Sequence, residues 1–528
     1  MVPLYYSDPS AGEAQIAVMM SPSNYSRDDP NYLGSILFNP GKLIIIPASG
    51  VGYLQQFGAY FREIIGPAYD LVGFDPRATG NTTPTLAIWH SSTEALQFYS
   101  DFEQNFNSSH EAFGIGFAQE QVFGKLAEER IANVSQAVST PAVAMDMLSI
   151  VRAFGFEKVN YWGVSYVVSP RSAGMVLMYQ TGMGRYLARP SQRCSRRTWD
   201  ASSSTVSQTR MSGTLVRVST QSLSSTDAAL ESIYSACLAA GPSLCAIYEN
   251  STALIHARVH KLVMSLRTNP IPVVSDAPGV PTLFGVVDYG VIVQQLLETL
   301  YNPYTTWPTA ADALVQLEQG NATAVWASSM MAMFKGLGGA PPGPFKGPLD
   351  AKTAIECGDI LGRVNVTFEQ AHEQYEAAVN VSARFAPYWY PTGAGMCNGW
   401  KMRSRDTFNG SFITNTSTPI LMISNTYDPV CPLASARNMS AGFGGSVLLQ
   451  QNSTGHTSLS GFSTCTANAI HAYFNDGTLP RPGTICQPDT QIFQPSNFSS
   501  AAQRDDHGGY TFYEAVRGIA ERGYPLGR

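Results

Sequence analysis

The stretch Asn160-Tyr161-Trp162-Gly163-Val164-Ser165-Tyr166 constrains this chain more than any other. A helix end over Val151 to Val159 runs into a short strand, and Gly163-Val164-Ser165 then turns sharply. That order of elements presents one serine on a strained corner, with a small residue two places earlier letting the chain pass. A glycine two residues after the serine would complete the corner, and the chain has Val167 there instead.

The preceding segments supply a scaffold for it. Val2 to Met20 alternates and predicts a hairpin, and Ser35-Ile36-Leu37-Phe38 predicts a buried strand ending in Asn39-Pro40-Gly41. A loop leaving such a strand is a common source of backbone amides that face a reacting group. Lys42 to Ala48 extends the apolar run, and Tyr69 to Asp75 predicts a second buried strand running into the turn Pro76 to Gly80. Asp75 and Arg77 are expected to pair across that turn. Residues 120–130 and 140–154 predict helices. Strand, loop, strand, helix, strand and serine make the order of an open α/β sheet.

Residues 167–225 change character, with thirteen serines, eight arginines, no lysine and one acid, Asp200. Such a composition predicts a basic, poorly ordered linker. From 226 to about 400 the pattern is helical, notably over 228–240, 253–266, 289–300, 309–319 and 367–385, as expected of a lid inserted between two halves of a core. The core resumes over 401–528. There Pro419 to Ser424 and Ser446 to Gln450 predict strands, each followed by a polar loop, the first holding Asp428 and the second His456. Open sheets gather catalytic groups at these carboxyl ends.

A serine hydroxyl becomes a nucleophile when a base takes its proton, and histidine does this when an acid holds the right tautomer. Ser165, Asp428 and His456 follow the chain order Ser, Asp, His that α/β-hydrolases use. The expected fold is therefore α/β: a mostly parallel sheet flanked by helices, with an inserted helical lid.

Composition narrows the setting. Lysine and arginine number 33 against 39 acidic residues, for a net charge of -6, and no basic stripe points to nucleic acid. No apolar run approaches the roughly 20 residues of a membrane span. Thirteen N-x-S/T sequons from Asn24 to Asn497 point to a secreted glycoprotein. Eight cysteines fit this, with spacings that pair Cys237 with Cys245 and Cys465 with Cys486 in short loops and allow Cys357 to join Cys397. Cys194 and Cys431 are left over. The opening Met1-Val2-Pro3-Leu4 lacks the features of a secretory leader, so a start further upstream is expected.

Tyr161 to Tyr166, Gly73-Phe74-Asp75-Pro76-Arg77-Ala78-Thr79-Gly80, Asp428-Pro429-Val430-Cys431-Pro432-Leu433 and Gly455-His456-Thr457-Ser458-Leu459 resemble the secreted tripeptidyl-aminopeptidase-like serine hydrolases of peptidase family S33. The likeness covers 1–166 and about 226–490. It implies release of short peptides or residues from free amino termini without metal or cofactor; peptide substrates, a monomer, and no nucleic acid or membrane partner are the accompanying expectations. By that resemblance Ser165 is the nucleophile, His456 the general base and Asp428 its orienting acid. Backbone amides of Tyr166 and of the loop at Gly41 would face the oxyanion. Esterase activity is the near alternative, and a non-catalytic binding glycoprotein the distant one. Glu356 or Asp359, beside Cys357, would meet the substrate's ammonium group.

Two departures from that family stand out. The glycine-rich run expected after Gly41 is replaced by Lys42 to Ala48, and the segment after Tyr166 by the serine and arginine block. Tyr179-Gln180-Thr181-Gly182 can be encoded so that a shifted frame reads Pro-Asp-Arg, the phrase the family carries there. An altered reading of the gene over 42–48 and 167–225 is therefore expected.

Overall fold

The computed structural model describes residues 1–41, 49–165, 175–181, 221–276, 282–336, 347–359, 365–406, 415–494 and 515. Lys42 to Ala48, Tyr166, Cys194 and most of the serine and arginine block lie outside these residues.

The chain opens with the antiparallel pair β1 (Val2–Tyr5) and β2 (Asp8–Ala14), followed by β3 (Val18–Ser21). The central sheet continues through β4 (Gly34–Asn39), β5 (Tyr69–Phe74), β6 (Val159–Gly163) and β7 (Met175–Thr181). After a separate antiparallel hairpin, β8 (Ile271–Ser275) and β9 (Leu283–Val287), it finishes with β10 (Leu421–Tyr427), β11 (Val447–Thr454) and β12 (Ile485–Cys486). Its eight strands run in the order β12-β11-β10-β7-β6-β4-β5-β3.

The sheet is mixed. Pairs β5 with β4, β4 with β6, β10 with β11 and β11 with β12 are parallel, whereas β3 with β5, β6 with β7 and β7 with β10 are antiparallel. The expectation of a mostly parallel sheet is corrected to this extent. The linker predicted over 167–225 is corrected at 175–181, where Leu177 stands opposite both Trp162 and Leu421. Two central strands with open edges leave unpaired amides and carbonyls, and β7 satisfies both ladders. Because β7 is reversed against each neighbour, β6 and β10 run the same way, and their carboxyl ends share one rim.

Apolar alternation within β4, β5 and β6 is absent because both faces are covered, and all residues of these strands are buried. On one face the helix Gly50–Ile65 packs with Thr464–Asp476 around Trp162, whose ring lies 5.0 Å from Phe61, 5.6 Å from Phe38 and 6.0 Å from Phe474. Close approach of Gly50–Ile65 to β5 depends on glycine at Gly50 and Gly73. A Cβ on Gly50 would sit 2.2 Å from the Phe74 carbonyl oxygen. The helix Thr140–Ala153 covers the opposite face through Met147, Leu148 and Val151. An 18-residue window within Ala112–Ala153 has mean hydropathy 1.3, and 67% of it is buried inside the protein.

Asp75 and Arg77 do not pair. Asp75 accepts from the Ser49 hydroxyl at 2.6 Å, and from the amides of Asn81 at 2.9 Å and Val51 at 3.2 Å. Arg77 instead forms a buried two-point pair with Asp146, Nε to Oδ2 at 2.6 Å and Nη2 to Oδ1 at 2.8 Å. An arginine fork demands a carboxylate in its own plane, and Asp146 offers one across the core.

Between Thr226 and Thr392 the chain builds a second, mainly helical core around Trp307, Tyr234 and Tyr390. Disulfides Cys237–Cys245, Cys357–Cys397 and Cys465–Cys486 join the pairs that the spacing suggested.

Candidate active site

Three loops meet at the shared rim. The first leaves β6: the Val164 amide donates to the Asn39 carbonyl at 3.0 Å, and Ser165 follows with φ +67°. A left-handed conformation costs a non-glycine residue about 1–2 kcal/mol, so the surrounding sheet must hold it. The second leaves β10 at Asp428. The third leaves β11, where Gly455 at φ +114° and Thr457 at φ +64° bracket His456. β10 and β11 are parallel neighbours, which brings Asp428 and His456 to the same end.

His456 Nε2 lies 2.7 Å from Ser165 Oγ, and its Nδ1 lies 3.0 and 3.1 Å from the two oxygens of Asp428. Asp428 and His456 are fully buried and Ser165 is 4% exposed. The Asp428 carboxylate also accepts amide hydrogens from Cys431 at 2.8 Å, Val430 at 3.0 Å and Thr457 at 2.8 Å. These donors fix the carboxylate and aim it at the imidazole. Burial by itself favours the neutral ring of His456, but the Asp428 carboxylate and the Cys431 sulfur beside it outweigh this and raise the imidazole above its ordinary value. With Nδ1–H directed to Asp428, the neutral ring presents Nε2 to the Ser165 hydroxyl as a proton acceptor.

Several supporting residues went unnamed in the sequence. Asn425 donates through Nδ2 to the carbonyls of Gly455 at 2.8 Å and Thr457 at 2.6 Å, pinning the histidine loop to β10. Gln451 donates to the carbonyls of Ser458 and Gly461, each at 3.1 Å. Polar residues in otherwise apolar strands need buried partners, and that was the available signal for both. Tyr301 packs its ring against His456. Cys431 brings its sulfur within 4.8 Å of the same imidazole.

The remaining expected residues are placed elsewhere or fall outside the described set. The Gly41 amide donates to Asn39 Oδ1 at 2.8 Å, so this donor is engaged rather than open to an oxyanion, and Tyr166 is not among the described residues. Asp359 accepts from the Thr140 amide at 3.0 Å and from the Thr140 hydroxyl, so its carboxylate is engaged at the first turn of the helix Thr140–Ala153, whose N-cap is Ser139. Glu356 sits half-buried on the helix Pro348–Gly358, whose apolar side joins the cluster around Phe123 and Trp400 rather than the one behind Ser165. A different carboxylate stands three residues before Tyr301, the residue whose ring meets His456. Glu298 accepts from Gln294 Nε2 at 2.8 Å and Gln295 Nε2 at 3.2 Å, and burial pushes it up to about 7.

Residues 381–486 match the family model described as TAP-like protein, an α/β-hydrolase family. The chain is 24% identical to carboxylesterase B of Mycobacterium tuberculosis over 496 residues, which is 92% of this chain and 85% of the relative. It is 24% identical to serine protease Hip1 of the same organism over 495 residues, 92% of this chain and 86% of the relative. A shorter stretch of 172 residues, 31% of this chain and 29% of the relative, is 28% identical to tripeptidyl aminopeptidase of Streptomyces coelicolor.

Proposed function

Starting from a chain that is a hydrolase of the TAP-like, esterase and serine-protease group, we propose that it is a secreted serine aminopeptidase cleaving short units from free amino termini through a Ser165 acyl-enzyme. The observation that carries this reading is the continuous relay from Asp428 through His456 to Ser165, with contacts of 3.0 and 2.7 Å. His456 takes the Ser165 proton as the hydroxyl attacks the carbonyl, then returns it to the leaving amine. Water repeats the sequence to free the acid. The helical block would act as a lid, its segment around Tyr301 covering the base. Glu298 on that segment is the carboxylate best placed to meet a substrate ammonium, in preference to Glu356 or Asp359.

Secretion and glycosylation are supported by the disulfides and by the asparagines. Asn409 and Asn497 lie outside the described residues; of the other eleven sequon asparagines, ten are exposed and Asn107 is half-buried. Six of the ten asparagines outside sequons are buried: Asn39, Asn105, Asn160, Asn302, Asn398 and Asn425. Exposure that tracks the sequon is what a glycan-bearing surface requires.

Fluorophosphonate labelling tests the chemistry. Labelling of the wild type that vanishes in Ser165→Ala, together with loss of turnover on the order of a millionfold, is the expected result. Folded protein that never labels favours a second reading, a binding glycoprotein without chemistry. That reading has its own support in the engaged Gly41 amide and in Val167. Peptides with free and blocked amino termini separate aminopeptidase from esterase, and Glu298→Gln should selectively impair the free ones.

A further inference from the structure

We propose that Asp428, Cys431 and His456 form a chelating site for a thiophilic divalent cation such as Zn2+ or Cd2+, and that filling it switches the enzyme off. The proposal rests on the triad reading above. One ligand atom from each residue lies within 4.8 Å of the other two, and all three residues are buried; among the described residues no other group of three donors meets this spacing. Metal bonds of 2.0–2.3 Å in a tetrahedral site separate ligand atoms by about 3.3–3.8 Å. Asp428 Oδ1 and His456 Nδ1 already stand 3.0 Å apart, so the Cys431 sulfur is the ligand that has to close in.

The donor chemistry fits. A thiolate, an imidazole and a carboxylate suit zinc and cadmium, and the two anionic ligands neutralise a divalent charge in a buried place. On binding, the Cys431 thiol gives its proton to solvent and its sulfur lone pair to the metal, with no oxidation or reduction. The framework is already braced: amides of Val430, Cys431 and Thr457 fix Asp428, and the Tyr301 carbonyl holds the His456 backbone. Cys431 is the one free cysteine among the described residues, and the proposed hydrolysis asks nothing of its thiol.

Coordination and catalysis exclude each other. If the metal takes Nδ1, the ring proton moves to Nε2, which can no longer accept one from Ser165.

The test uses full-length protein freed of metal by a chelator and titrated with zinc chloride or cadmium chloride. Ester hydrolysis and fluorophosphonate labelling should fall at least about tenfold at micromolar metal and return with chelator, as a cadmium–thiolate ultraviolet band grows to stoichiometry. Cys431→Ser should lower metal sensitivity, relative to its own metal-free rate, by at least about tenfold and remove the band. Equal inhibition of wild type and Cys431→Ser, or no cadmium–thiolate band from folded wild type, overturns the proposal. Metal-free protein that folds but neither hydrolyses nor labels defeats the hydrolase reading instead, and the cadmium band then decides the site alone.

Discussion

The carbonyl of Tyr301 accepts the amide hydrogen of His456 at 2.8 Å, and the Tyr301 ring meets the imidazole edge-on, centroids 5.1 Å apart and planes at 73°. The helical block thus touches the proposed base twice, once through backbone and once through a buried ring. Its first helix, Thr226–Ala240, adds two contacts at the same rim, from Thr226 to the Pro429 carbonyl at 2.5 Å and between Ser232 and Thr454 at 2.6 Å. The position of the imidazole therefore depends on how the block is seated.

Truncating the ring should loosen the base. Tyr301→Ala keeps the carbonyl contact but removes the edge-on wall, and is expected to lower kcat more than it changes KM, because a misaimed base weakens proton transfer. It should also cost about 3–5 kcal/mol of stability. Tyr301→Phe keeps the wall and should behave as wild type. Steady-state kinetics with thermal melting check both, and a Phe variant as damaged as the Ala variant would contradict the account.

Hydrolysis should start at higher pH than a free histidine would allow. The neighbours of His456 raise its value, so the imidazolium persists as pH increases and Nε2 becomes a base late. The acid limb of kcat/KM is expected above about 6.5, the ordinary imidazole value. The same shift acts on stability in the opposite sense: its contribution is fully present below the unfolded value and is lost as pH rises through the folded one. A limb at or below the ordinary value refutes the assignment.

The buried pair of Arg77 and Asp146 predicts a sharp asymmetry. Arg77→Met strands a carboxylate in the core and should cost about 3–5 kcal/mol. Adding Asp146→Asn removes the stranded charge and should recover part of that loss. Urea unfolding of the single and double variants measures the recovery, and its absence would show that the arginine acts through the Leu4, Pro3 and Ala137 carbonyls it also reaches.

Sequencing the transcript tests the two departures from the family pattern. The expected cDNA encodes a different segment between Tyr166 and Thr226, with Pro-Asp-Arg in place of Tyr179 to Gly182, and a glycine-rich loop after Gly41. A cDNA that encodes 42–48 and 167–225 as they stand rejects the idea.

What the chain declares by itself is local. Apolar runs ending in turns marked the strands before Ser165, Asp428 and His456, because strand period and turn chemistry act over a few residues. Cysteine spacing gave the disulfide pairs for the same reason. The tertiary structure alone decided which partner satisfies each polar group. It sent Arg77 to Asp146 rather than Asp75, engaged Asp359 at the first turn of a helix, closed the Gly41 amide onto Asn39, and set Asn425, Tyr301 and Cys431 around the histidine. A buried donor or acceptor must be paired wherever the fold happens to bring a complement, and nothing in its sequence neighbourhood names that complement.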